Sequence, residues 1–215
     1  FRSSAQTISI GVIGPGNVGG SFLRQVAAAR EGLRQRHGID LRVRAIAGSR
    51  MMALGDPTLS LHDPRGSLDR PLDLQAFAAH VKSEHLPNAV IVDCSASDAV
   101  ADRYATWMGA GMHVITPNKC AGSGPLERYR AIRSAGAQFR YEATVGAGLP
   151  IITTLRDLID TGDSVRSVDG IFSGTLAYLF NCFDGSTPFS QLVLQARELG
   201  YTEPDPRDDL SGLDV

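Results

Sequence analysis

The sequence has no apolar run long enough to cross a membrane, few cysteines and no block of basic residues. No stretch reaches the roughly 18 apolar residues of a transmembrane helix, and residues 1–7 lack the apolar core of a signal peptide. The three cysteines, Cys94, Cys120 and Cys182, are odd in number and lack a metal-type pair spacing. We therefore expect a cytoplasmic protein with reduced thiols.

The charge of the chain excludes a further class of proteins. Its formal net charge is −2 at pH 7, and its basic residues do not interleave with aromatic ones. The chain therefore lacks the electrostatic footprint of a nucleic-acid binder. With 43% hydrophobic residues it can form a proper core, and small-molecule chemistry is what remains.

Short apolar strands alternate with helical patterns in the first part of the chain. Strands are predicted over residues 8–13, 41–47, 89–93 and 112–115, with helices over residues 22–34 and 99–109. Residues 55–71 are rich in Pro, Asp, Gly and Ser and predict an exposed loop. The alternation predicts an α/β fold, a Rossmann-type doubly wound parallel sheet with helices on both faces.

The pattern changes beyond residue 138, where a second domain is expected. We place the boundary between residues 142 and 143, with an incomplete α+β domain over residues 143–215. It includes a strand near residues 168–172 and a helix over residues 188–199, with Thr187 as its N-cap.

Three glycines form a GxGxxG motif where the first strand meets the first helix. Gly14 would make the turn, Gly16 would admit a pyrophosphate, and Gly19 would let the helix pack on the strand. The N–H groups at Asn17 and Val18 would face the phosphates. An ordinary glycine turn is the alternative, and the flanking strand and helix favour the cofactor site.

The second predicted strand ends without the acidic residue that binds the ribose of NAD. Ser49 and Arg50 stand there instead, and a hydroxyl with a guanidinium suits the 2′-phosphate of NADP. The sequence therefore favours NADP(H) over NAD(H), with a solvated surface arginine as the alternative.

Two further strand ends carry polar side chains at the sheet edge where open α/β folds bind ligands. Ser95 and Ser97 follow the strand at residues 89–93, and small hydroxyls there could line a nicotinamide ribose. Ser97 could instead cap the next helix. Lys119 closes the following strand and could touch a carbonyl oxygen or a cofactor phosphate, or be a solvated surface charge.

A glycine-rich apolar loop covers residues 144–150, directly after Glu142. Backbone carbonyls freed by such a turn could hold a monovalent or other hard cation together with that carboxylate. A packed turn between domains is the alternative.

Five carboxylates lie within twelve positions, residues 203–214, of a chain that is otherwise nearly charge-balanced. Like charges this close raise one another's pKa unless a cation offsets them, so a cationic amine substrate is the simplest partner. Asp214 also fits a capping box with Ser211 as N-cap, whereas Glu203 has no such structural role.

Together these motifs resemble the homoserine dehydrogenase family. The resemblance is carried by Gly14–Gly19, Thr116-Pro117-Asn118-Lys119, residues 142–150, Gly170-Ile171-Phe172-Ser173-Gly174-Thr175 and residues 200–215. The last of these motifs is the most specific. The residues before Ile8 further resemble the dehydrogenase half of bifunctional aspartokinase–homoserine dehydrogenases.

The resemblance implies reversible reduction of L-aspartate 4-semialdehyde to L-homoserine with NAD(P)H, in the branch toward threonine and methionine. It implies a dinucleotide-binding domain over residues 1–142 and a substrate-binding and dimerisation domain after it, in a homo-oligomer that can be fused to aspartokinase. The implied catalytic residue is Lys119, beside the nicotinamide and the reacting oxygen, and Ser95 contacts the cofactor. The implied substrate contacts are Gly174, Thr175, Glu203, Asp209 and Asp214, and the implied sodium ligands are Glu142, Val145, Ala147 and Leu149.

Two departures from the family stand out. The family usually has a second lysine directly after Lys119, and here the residue is Cys120. The family's acid/base lysine lies a few residues beyond Asp214, so we expect this chain to be a truncated piece without it.

Two other functions stay open from the residues alone. One is a different semialdehyde dehydrogenase with a cysteine nucleophile, which needs an activated thiol at Cys94 or Cys120. The other is a non-catalytic module that senses NADPH.

Overall fold

The computed structural model describes residues 6–203 and 205–212. Within them the contacts form two compact units, divided between Gly148 and Leu149. The domain boundary that the sequence predicts, after residue 142, stays a prediction.

The first unit is built on a seven-stranded sheet in the order β4-β3-β2-β1-β5-β6-β7. The strands are β1 Gln6–Ile13, β2 Ile39–Ala47, β3 Met51–Leu54, β4 Arg70–Pro71, β5 Asn88–Asp93, β6 His113–Ile115 and β7 Phe139–Arg140. The five strands β1, β2, β5, β6 and β7 pair in parallel, and β3 and β4 extend the edge antiparallel. The predicted α/β class with a parallel sheet is confirmed, and β3 and β4 add an antiparallel edge that the sequence does not predict.

Helices cover both faces of this sheet because alternate strand residues point to opposite sides. Ile10 and Val12 pack with Leu23 and Val26 of helix α1, Asn17–His37. Ile13 joins a second cluster, with side chains from α2 Leu74–Val81, α4 Tyr104–Gly109 and α6 Leu126–Ser134. The chain moves from β1 to β2 on one side and later returns to β5 on the other, which puts the reversal of strand order between β1 and β5.

The helix predicted over residues 99–109 is two short helices, α3 Asp98–Ala101 and α4. The N–H of Arg103 bonds to the carbonyl of Val100, a three-residue step that tightens the chain between them. A further short helix, α5 Cys120–Ser123, follows Lys119.

The second unit contains helices α7 Ile151–Asp160, α8 Gly174–Cys182, α9 Phe189–Glu198 and α10 Pro206–Ser211, and no strand among its described residues. The strand predicted near residues 168–172 is therefore wrong, since no other segment of this unit pairs with it. Pro188, rather than Thr187, occupies the N-cap position of α9. Leu192 and Ala196 of α9 are buried against Leu179.

Among the described residues, no helix combines the length and the apolar character that spanning a membrane requires.

Candidate functional site

The glycine motif makes a tight turn at the carboxyl end of β1. Gly14 has φ +80°, and its N–H donates to the carbonyl of Ala47 at 2.7 Å. A Cβ on Gly14 would lie 2.8 Å from the backbone of Cys94 and Ser95. Both the backbone angle and the close approach therefore require glycine here, as the sequence predicts for the first glycine.

The other two glycines of the motif differ in their surroundings. A Cβ on Gly19 would lie 2.2 Å from the carbonyl oxygen of Gly14, so this glycine lets α1 pack against the turn. A Cβ on Gly16 would meet no protein atom within 4 Å. Packing within the protein therefore does not account for Gly16, and the space beside it is open to a ligand.

The N-terminus of α1 presents backbone donors at this turn. Gly16 is the N-cap, no side chain caps the helix, and the first turn carries no acidic residue. Asn17 and Val18 are exposed. The first N–H groups of a helix lack intrahelical acceptors, so this end is suited to an anion.

Ser49 and Arg50 form the turn that links β2 to β3. The N–H of Gly48 donates to the carbonyl of Met51 at 2.8 Å, which closes a hairpin with both residues exposed at its tip. The Gly14–Ala47 hydrogen bond holds the end of β2 beside the glycine turn. The two predicted cofactor elements therefore lie at neighbouring strand ends.

Residues 55–71 fold back toward the glycine turn. Arg65 Nε donates to the carbonyl of Pro15 at 2.9 Å. A cavity of about 470 Å³ lies between this loop and the start of α1, and it is lined by Gly16, Asn17, Arg24, His62 and Arg65 among others. Its basic side chains reinforce the preference of the helix terminus for an anion.

The carboxyl ends of β5 and β6 bring Ser95, Ser97 and Lys119 to the same edge of the sheet as the glycine turn. Ser97 Oγ accepts from the N–H of Val100 at 3.3 Å and is the N-cap of α3, so the capping alternative holds for this residue. Ser95 Oγ accepts from the N–H of Ser97 at 3.2 Å. Lys119 is exposed at the N-cap position of α5.

In the second unit, four predicted substrate contacts line one cavity of about 450 Å³: Gly174, Thr175, Glu203 and Asp209. Asp209 is 1% exposed. Its Oδ1 accepts from Thr175 Oγ1 at 2.6 Å, and its Oδ2 accepts from the N–H of Glu203 at 2.9 Å. The buried carboxylate therefore holds Thr175 and the exposed Glu203 in place at the wall of an acidic cavity.

Two family models divide the chain near the boundary between the two units. The family model described as "Homoserine dehydrogenase, NAD binding domain" matches residues 14–142, and the one described as "Homoserine dehydrogenase" matches residues 150–215. The chain belongs to the homoserine dehydrogenase family. The resemblance that the motifs indicate is confirmed.

The relatives of this chain include longer proteins. The maize protein named bifunctional aspartokinase/homoserine dehydrogenase 2, chloroplastic, is 49% identical over 223 residues, which cover 100% of this chain and 24% of that protein. The chain thus spans about a quarter of the length of the curated relatives that it matches.

Two solved structures share the fold. A Candida auris protein of unknown function has a TM-score of 0.81 at 32% identity, covering 97% of this chain and 60% of that one. A hyperthermophilic archaeal homoserine dehydrogenase in complex with NADPH has a TM-score of 0.79 at 22% identity, covering 97% and 66%.

The acidic segment of the chain, residues 203–214, differs from the expectation in two respects. Asp205 caps α10, and hydrogen bonds from Arg207 lower the pKa of its carboxyl to about 2. The expected mutual rise of pKa is thus wrong for Asp205, because the hydrogen bonds from Arg207 outweigh the repulsion from the other carboxylates. Ser211 is the last residue of α10, and Asp214 lies outside the described residues, so the predicted capping box stays a prediction.

The predicted sodium loop begins in a short 3₁₀-helix, Glu142–Thr144. Glu142 Oε1 lies 3.5 Å from Arg140 Nη1, and Gly146 and Ala147 have φ of +69° and +51°. Residues 6–203 and 205–212 contain no cluster of three or more His, Cys, Asp or Glu side chains suited to a metal ion. Three of the four predicted ligands are backbone carbonyls, so the sodium site stays a prediction.

Sequence reasoning missed the basic side chains of the first cavity, Arg24, His62 and Arg65. Composition alone predicts that residues 55–71 are an exposed loop. The available signal was apolar: Leu59, Leu61 and Leu68 pack against the core cluster beneath α1. Leucines spaced through a polar loop indicate that it folds back onto the domain.

The thiols near the nucleotide site are poorly suited to nucleophilic catalysis. Burial, with the neighbouring Asp93 carboxylate, raises the pKa of Cys94 to about 11. Burial and Asp98 likewise raise the pKa of Cys120. A catalytic cysteine needs a lowered pKa, so these shifts disfavour the cysteine-dependent alternative.

We expect iodoacetamide at pH 8 to alkylate the exposed Cys182 well before Cys94. With a pKa near 11, only about one Cys94 in a thousand is a thiolate at that pH. Timed labelling followed by peptide mass spectrometry measures both sites in one sample. Fast labelling of Cys94 that inactivates the protein, and that substrate prevents, would instead support a cysteine nucleophile.

Proposed function

We propose that this chain carries the NAD(P)H-dependent interconversion of L-aspartate 4-semialdehyde and L-homoserine, in the branch toward threonine and methionine. The observation that carries the proposal is the acidic cavity of the second unit, where buried Asp209 holds Thr175 and Glu203. Two carboxylates, those of Glu203 and Asp209, line this cavity beside hydroxyl groups. This pair suits a small substrate with an ammonium group.

The chain's own residues have separable roles in this proposal. Glu203 and Asp209 bind and orient the ammonium, with Asp214 as a third predicted contact and with Gly174 and Thr175 lining the pocket. Lys119 polarises the carbonyl oxygen of the aldehyde, where negative charge develops. Ser95 contacts the cofactor. The bound nicotinamide supplies or accepts the hydride.

The cofactor fits the residues at the glycine turn. The open space at Gly16, the uncapped start of α1 and the basic cavity lining all suit a dinucleotide phosphate. We propose NADP(H) as the preferred form, bound by Gly14, Gly16, Asn17, Val18 and Gly19, with Ser49 and Arg50 at the 2′-phosphate. The archaeal relative solved with NADPH supports a nicotinamide cofactor.

We further propose that a sodium ion binds Glu142 and the carbonyls of Val145, Ala147 and Leu149. The left-handed turn at Gly146 and Ala147 supports this site, because it redirects backbone carbonyls. Exchange of sodium for choline should then lower the melting temperature of the protein.

The proposal extends to the whole protein that contains this chain. We propose a homo-oligomer in the reducing cytoplasm, fused to an aspartokinase as the name of the maize relative describes for that protein. The free cysteines Cys94, Cys120 and Cys182 support a reducing compartment.

A pair of substrates tests the proposed activity. The full-length protein should oxidise NADPH with L-aspartate 4-semialdehyde and turn over succinate semialdehyde, which lacks the ammonium, at least about 100-fold less efficiently. Equal efficiency with both aldehydes would remove the role of the acidic cavity. Binding of NADPH without turnover of either would favour the sensing module.

The 2′-phosphate assignment makes a separate prediction. Arg50→Ala should weaken NADPH binding about 5- to 30-fold, the loss of one charge-assisted contact of roughly 1–2 kcal/mol, and leave NADH binding unchanged. Arg70→Ala is the matched control, because Arg70 is an exposed arginine already paired with Asp69. Calorimetry measures both affinities. Equal wild-type affinities for NADPH and NADH, insensitive to Arg50→Ala, would contradict the assignment.

A further inference from the structure

A buried carboxylate lies beneath the edge of the sheet that carries Ser95 and Lys119. Asp93, the last residue of β5, has no exposed surface. Its Oδ1 accepts from the N–H of Ser95 at 2.8 Å. Its Oδ2 accepts from the hydroxyl of Tyr104 and, at 3.0 Å, from Asn118 Nδ2.

These donors lie on three different segments, and further hydrogen bonds connect them. Thr116 Oγ1 donates to the carbonyl of Asp93 at 2.7 Å and accepts from the N–H of Asn118 at 2.8 Å. Asn118 Nδ2 also donates to the carbonyl of Ser97 at 3.0 Å. The loop after β5 and the loop after β6 are thus tied together through one buried group.

Lys119 stands between two residues of this network. Asn118 precedes it, and the N–H of Cys120, which follows it, donates to Asn118 Oδ1 at 3.1 Å. The backbone on both sides of Lys119 is therefore fixed by the side chain that bonds to Asp93. Ser95 is fixed directly, through its N–H.

Among the residues that the structure describes, the donors to the Asp93 side chain are an amide, a phenol and a carboxamide, none of which is a cation. Burying a carboxylate among neutral groups costs stability that an apolar or amide side chain would not. Burial and the Asp93 carboxylate raise the pKa of Tyr104, so its hydroxyl keeps the proton that it donates.

We propose that Asp93 is a positioning residue, whose carboxylate sets the relative placement of Ser95 and Lys119, directly through the N–H of Ser95 and indirectly through the side chain of Asn118, with Tyr104 holding the carboxylate itself. The proposal rests on the proposed dehydrogenase function. An acceptor with two oxygens is needed because all three neighbours donate. Asparagine would turn an N–H₂ group toward at least one of these donors and shift the loops.

The test compares Asp93→Asn with the wild type in the full-length protein. We expect kcat to fall about 10- to 100-fold, while KM for the semialdehyde and the Kd of NADPH stay within about 3-fold, because misplaced groups impair the reaction more than binding. Tyr104→Phe, which removes one donor and keeps Asp93, should lower kcat about 3- to 10-fold. If Asp93→Asn does not fold, the kcat of Tyr104→Phe decides whether the network positions the reacting groups.

Ser9→Ala is the matched control. Ser9 is also fully buried in the sheet, and its hydroxyl donates to the carbonyl of Val81 at 2.6 Å, outside the network. It should lower the melting temperature and leave kcat unchanged. If Asp93→Asn and Tyr104→Phe behave like Ser9→Ala, with lower stability and normal kcat per folded molecule, Asp93 is only structural and the proposal is overturned.

A second readout separates this proposal from the proposed function. The sequence contains two lysines, Lys82 and Lys119. Labelling by an amine reagent, followed by peptide mass spectrometry, should show a Lys119 rate that changes at least about 3-fold in Asp93→Asn while the Lys82 rate is constant. An inactive wild type with this labelling change would refute the dehydrogenase function and keep the placement of Lys119, whereas unchanged labelling would refute the placement.

Discussion

Replacing Glu203 by glutamine is expected to lower kcat/KM for L-aspartate 4-semialdehyde about 100-fold in the full-length protein. Glu203 is exposed in the acidic cavity, and its backbone N–H is held by buried Asp209. Glutamine keeps the shape and removes the charge that orients the ammonium. A misoriented aldehyde reacts slowly even when it is bound, and losses near 100-fold are typical of such misplacement.

The control for this prediction is Glu198→Gln, the same change on the exposed face of α9. It should leave kcat/KM unchanged, and both variants should bind NADPH as the wild type does. Initial-rate measurements over a range of semialdehyde concentrations separate kcat from KM. A normal kcat/KM in Glu203→Gln would mean that this carboxylate does not contact the substrate.

Replacing Lys119 by methionine should lower kcat by about 100- to 1000-fold. The loss of one preorganised group that stabilises a developing oxyanion has this magnitude. Lys119 lies in the loop that follows β6, at the N-cap position of α5. Open α/β sheets bind their ligands at this carboxyl edge. Methionine keeps most of the length of the side chain and removes the charge.

Lys82→Met is the matched control, since Lys82 follows α2 and is the other lysine of the sequence. It should leave kcat unchanged. The alternative role of Lys119, binding a cofactor phosphate, predicts a different pattern: weaker NADPH binding with nearly normal kcat at saturating cofactor. Measuring kcat at saturating NADPH and the Kd of NADPH in the same variant distinguishes the two roles.

The parallel part of the sheet could be predicted because its strands are short apolar runs followed by turns. The glycine motif likewise identifies its own context, since a strand and a helix flank it in sequence. The β3–β4 edge could not be predicted. Its strands have four and two residues, and they depend on pairing with β2 rather than on their own pattern.

The hydrogen-bond network around Asp93 could not be predicted from the sequence either. Its members are separated by 11 and 25 residues, and only the fold brings Tyr104 and Asn118 to the same carboxylate. The pKa of Asp205 shows the opposite limitation, because the deciding partner, Arg207, lies two residues away. Counting like charges predicts a raised pKa for Asp205, whereas the hydrogen bonds from Arg207 lower that pKa.

The most direct test of the central claim is the fate of the hydride. Full-length protein should be supplied with NADPH that carries two deuterium atoms at C4 of the nicotinamide, together with L-aspartate 4-semialdehyde, and the product analysed by mass spectrometry. The account predicts homoserine that carries one deuterium on its hydroxymethyl carbon, formed in proportion to the NADPH consumed. Tight NADPH binding with no deuterated homoserine would contradict it.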